Sequence, residues 1–77
     1  MNFILLKDVL LGQDALNRLR SWIEGIGLTV VVQTLPAAGK TCVEIVIDDS
    51  DNNLAEVTMA HRVVAQLKSE GWREEAP

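Results

Sequence analysis

Apolar and polar positions divide the chain into five segments, with glycine and proline marking most of the joins. From Phe3 to Leu11, seven of nine residues are apolar and follow no clean period. A strand buried on both faces reads this way, and so does a buried helical turn. From Asp14 to Glu24 the period is helical. Ala15, Leu16, Leu19, Trp22 and Ile23, continued by Ile26, share one stripe, while Arg18, Arg20 and Glu24 lie elsewhere on the wheel. The Gly25/Gly27 pair supplies the stop.

The period then changes to two. Leu28, Val30 and Val32 alternate with Thr29, Val31 and Gln33, and after the loop Leu35–Lys40, Val43, Ile45 and Ile47 alternate with Cys42, Glu44 and Val46. β-Branching reinforces both runs, and a short Pro/Gly connection between them predicts an antiparallel hairpin. Asp48 to Asn53 ends the second strand and opens a last helix. Asn53 is placed to cap it, and Glu56 stands three residues on, within reach of the cap's own amide. Leu54, Val57, Ala60, Val64 and Leu67, flanked by Val63, form its buried stripe. Gly71 ends the helix, and Trp72 is expected to fold back over the core.

Two orders remain open. With the first segment as a strand the order is β-α-β-β-α, a two-layer α+β sandwich with both helices on one face. Strand one is then an edge strand, parallel to a neighbour. The arrangement resembles a ferredoxin-like fold lacking its last strand. With the first segment helical the order is α-β-β-α, and a two-stranded sheet alone is marginal. Residues 1–72 form one domain, and 73–77 are expected to fray.

Length and composition narrow the function more than they specify it. Seventy-seven residues, 48% of them hydrophobic, are too apolar for intrinsic disorder and too few for a second domain or a large enclosed cofactor site. The net charge is −4. The seven cations are scattered, which disfavours direct binding to nucleic acid. One cysteine, Cys42, cannot form an intrachain disulfide. The apolar start is broken by Lys7 and Asp8, and no apolar stretch is long enough to span a bilayer, so a cytoplasmic location without membrane association is expected.

The candidate chemical motifs fail on spacing. Ala38-Gly39-Lys40-Thr41 ends like a phosphate-binding loop, but Thr34 stands where the earlier glycine belongs, and a strand follows instead of a helix. Asp49, Asp51 and Asn53 have the spacing that opens a calcium loop. Leu54 and Ala60 occupy the places of its glycine and its bidentate glutamate. His61 and Cys42 fall on opposite sides of the predicted sheet, and two such residues are too few for a zinc site. No catalytic residue, metal or cofactor is expected.

The pattern points instead to contact with another protein. The hairpin's second face carries Val31, Gln33, Glu44 and Val46, and the first strand adds Phe3 and Leu5 at an unprotected edge. Asp48, Asp49, Asp51 and Glu56 form a candidate acidic patch. The expectation is a small non-enzymatic protein-binding module, homodimeric, acting as an adaptor, regulatory subunit or inhibitor. Accessory proteins of phages and mobile elements, host-defence inhibitors among them, fall in this size class. The rival readings are a nucleic-acid-associated protein using the open sheet face and a minimal enzyme with a site at a dimer interface.

Overall fold

In the computed structural model, which describes residues 1–48 and 54–75, the first apolar segment is a strand inside the sheet. Strand β1 (Asn2–Lys7) leads to helix α1 (Gln13–Ile26) and strand β2 (Thr29–Leu35). A 3-10 turn (Pro36–Ala38) joins β2 to β3 (Lys40–Val46). Helix α2 (Leu54–Ser69) and strand β4 (Arg73–Glu75) complete the chain. The strands form one sheet in the order β2-β3-β1-β4, every neighbouring pair antiparallel.

This topology bears out the α+β sandwich and corrects its sheet in two ways. First, β1 is not an edge strand and has no parallel neighbour. It lies between β3 and β4, so the β1-α1-β2 crossover spans the place that β3 fills. The β3-α2-β4 crossover spans β1 in the same way. These two interleaved units make the complete β-α-β-β-α-β ferredoxin-like arrangement. Second, Arg73–Glu75 does not fray, because its backbone pairs with Ile4, Leu5 and Leu6. Three consecutive charged residues gave no strand signal. Ion pairs assist them: Arg73 meets Asp8 at 2.8 Å and Glu74 meets Lys68 at 2.8 Å.

Both helices pack on the sheet face that carries Phe3, Leu5, Val32, Val43, Ile45 and Ile47, forming one core with Leu16, Ile23, Ala60, Val63, Val64, Leu67 and Trp72. Each helix ends where a glycine takes up a left-handed conformation. Gly27 (φ 102°) donates to Glu24 O and Gly71 (φ 97°) donates to Lys68 O. Gly25 lies within α1, so the stop belongs to Gly27 alone. Trp72 turns back onto the core as expected, and Lys7 Nζ stands 5.8 Å from the centre of its ring. Leu54, expected in the buried stripe of α2, is 74% exposed; that stripe reaches the core only from Val57 onward. The proposed cap, Asn53, lies outside the described residues.

One buried polar side chain interrupts the inner face. Thr41 Oγ1 donates to Val9 O at 2.6 Å and accepts from Leu11 N–H at 3.1 Å. It thereby holds the β1–α1 connection against the start of β3. The hydroxyl that looked like the end of a phosphate loop is used inside the fold.

Candidate interaction surface

The face of the sheet turned away from the helices follows from strand register. In β3 the outward residues are Lys40, Cys42, Glu44 and Val46, and in β2 they are Thr29, Val31, Gln33 and Leu35. Opposite them on β1 stand Asn2, Ile4 and Leu6, with Arg73 and Glu75 on β4. Val31, Gln33, Glu44 and Val46 therefore share one surface. Phe3 and Leu5 do not: they point inward, 8% and 0% exposed, and belong to the core. Alternation along β1 puts Ile4 and Leu6 outward in their place.

The outer face combines an apolar centre with polar ties. Ile4, Leu6, Cys42 and Val46 are half-buried, and Val31 is 45% exposed. Asn2 Nδ2 donates to Glu44 Oε2 at 2.7 Å across the β1–β3 pair. Burial pushes the Cys42 thiol above its ordinary pKa, and the neighbouring Glu44 carboxylate pushes it further the same way. A thiol held in its neutral form is a poor nucleophile. At one end of the face Asp8 accepts from Arg73 at 2.8 Å and lies 3.8 Å from Lys40.

Cys42 and His61 are not brought together. Cys42 is on the outer face, whereas His61 is on α2 across the sheet, its ring edge-on to Phe3 at 5.1 Å. Of the acidic patch, Asp48 is exposed and Glu56 is half-buried in the first turn of α2, while Asp49 and Asp51 lie outside the described residues. Among the described residues, no group of three potential metal-ligating side chains converges, and no helix is long and apolar enough to cross a membrane.

A second concave surface was missed in the sequence. Leu19, Trp22 and Ile26 of α1 face Met59, Arg62, Val63 and Gln66 of α2 across an open groove of about 590 Å³. Trp22, on the apolar stripe of α1, is 40% exposed on the groove wall. No family model matches the sequence, and comparison with curated proteins and with solved structures yields no match.

Proposed function

We propose that this chain is a small protein-binding module that uses the outer face of its sheet. The observation that carries this reading is the set of apolar side chains on that face, Val31, Val46, Ile4 and Leu6, which no described element covers, while the inner face is closed by two helices. Parallel rows of aliphatic and polar side chains suit a complementary protein surface, where apolar anchors sit within a polar rim. They suit a nucleic acid less well, because the outward positions include no aromatic side chain for base stacking.

The test uses the tagged full chain as bait in extracts of its native host, alongside Leu6→Lys and Val46→Lys variants. Both sites are half-buried on the face, Leu6 in the middle and Val46 toward one end, so a lysine there can extend its charge to water while spoiling an apolar contact. Partners retained by the wild type and lost from both folded variants are the expected result. Identical retention by all three proteins would reject the outer face.

A further inference from the structure

The two edges of the sheet are built differently. The β4 edge is three residues long and entirely charged, Arg73-Glu74-Glu75, as protected edges are. The β2 edge is seven residues long, Thr-Val-Val-Val-Gln-Thr-Leu, with neither charge nor proline.

Which of its backbone groups are open can be deduced from one end of the sheet. Met1 and Ile47 exchange both main-chain hydrogen bonds, Ile47 N–H to Met1 O at 2.9 Å and the Met1 amine to Ile47 O at 3.1 Å. In an antiparallel ladder this fixes the alternation. Ile47, Ile45 and Val43 turn their peptide groups toward β1; Val46, Glu44 and Cys42 turn theirs toward β2. Thr29, Val31 and Gln33 therefore bond to β3, and Val30, Val32 and Thr34 direct N–H and C=O off the edge. Arg20 Nη2, from α1, donates to Val32 O at 3.5 Å, which agrees with that direction and shows that a strand pairing here must displace this long contact.

We propose that the β2 edge pairs antiparallel with β2 of a second copy of this chain, about a two-fold axis at Val32, giving a continuous eight-stranded sheet. This goes beyond the binding role of the outer face and does not depend on it. The register is the one that uses all three residues directed off the edge, with Val32 opposite Val32, where the partner's Val32 N–H takes the place of Arg20, and Val30 opposite Thr34. On the outer face it sets Val31 against Gln33 and Thr29 against Leu35. Each protomer meets its own sequence run in reverse with no charged β2 side chain at any pair, and cross-strand pairs of β-branched residues are favourable.

The chain carries a net charge of −4, and β2 is a stretch without charge along which two copies can meet with no carboxylate of either strand in the seam. A seven-residue seam is small against the roughly 1,200 Å² of a standard stable interface, so the association is weak and concentration-dependent.

The test compares the full chain at about 0.02 mM and about 1 mM, by sedimentation and by residue-resolved amide exchange. The expected result is a mass rising toward twice 8.5 kDa. With it, exchange at Val30, Val32 and Thr34 slows about tenfold or more, while Val31 and Gln33, already bonded to β3, change little. A doubled mass without protection of those three amides means another interface and overturns the proposal. A constant 8.5 kDa species also overturns it, and leaves the edge for an extended segment of a different protein. A second arm uses the double variant Val31→Lys/Gln33→Lys. Both positions are exposed, and the two-fold register sets lysine against lysine twice. It should sediment as a monomer at the higher concentration, and persistent dimerisation of the folded variant would refute the register.

Discussion

The two faces of this sheet are made from the same residue types yet have opposite fates. Inward, Phe3, Leu5, Val43 and Ile45 are 8% exposed or less under α1 and α2; outward, Ile4, Leu6, Cys42 and Val46 stay half-buried with no described element above them. Adjacent positions in β1 differ by one residue in sequence and by a whole layer in structure. Hydrophobicity alone does not say what is core. The covering helices do.

The most direct way to break this comparison is a matched pair of truncations. Leu5→Ala empties a site with no exposure and should cost about 2–5 kcal/mol, enough to unfold much of the population in a domain whose total stability is only a few kcal/mol. Ile4→Ala, one residue earlier, removes side chain already reached by water and should cost about 1 kcal/mol or less. Urea titration of both variants checks this. Equal losses would mean that the outer face is as closed as the inner.

How much of this was legible depended on whether a segment shows its layer. In β2 and β3 Thr29, Gln33 and Glu44 all fall on one face of the hairpin, opposite the aliphatic Val30, Val32, Val43 and Ile45, so the inward set and the hairpin could be read directly. In β1 the markers conflict. Asn2 assigns the even positions to solvent, and Lys7 assigns the odd ones. The structure resolves the conflict through Trp72, whose ring lies beneath the Lys7 ammonium and lets an inward-parity lysine remain at the rim. That contact joins residues far apart in sequence, and no local pattern reports it. β4 was invisible for a related reason. It contributes no buried side chain, only backbone pairing along β1 and ion pairs to Asp8 and Lys68. The outer face was legible in β2 and β3 and misassigned in β1; the groove between the helices was not legible, because a helical stripe does not say which of its residues the neighbouring helix leaves open.

Thr41 tests the inner face from its polar side. Thr41→Val keeps volume and branching but leaves Leu11 N–H and Val9 O without the hydroxyl that joins them. Burial makes an unsatisfied group expensive, so a loss of about 1–3 kcal/mol is expected. Thr41→Ser, which retains the hydroxyl and loses one methyl, should recover part of that difference. If valine were neutral, the β1–α1 connection would be held by apolar packing alone.

The smallest effect concerns the dryness of the outer face, and Cys42 measures it. Its thiol is raised first by burial and second by the Glu44 carboxylate. Only the thiolate alkylates, so at mildly alkaline pH the folded protein should react more slowly than the urea-unfolded chain. Glu44→Gln removes the second cause and leaves the first. Its alkylation rate should rise, within a few-fold, yet stay below that of the unfolded chain. The same shift has a sign in stability. Because the folded thiol holds its proton more tightly than the unfolded one, its contribution is complete below the unfolded pKa and is lost as pH rises through the folded one. Alkaline pH should therefore destabilise the wild type slightly more than a Cys42→Ser variant, read as a divergence of their urea midpoints on the basic side only. A thiol reacting as fast folded as unfolded would show the outer face to be fully wet. Ile4, Leu6 and Val46 would then be ordinary surface residues instead of the centre of a contact.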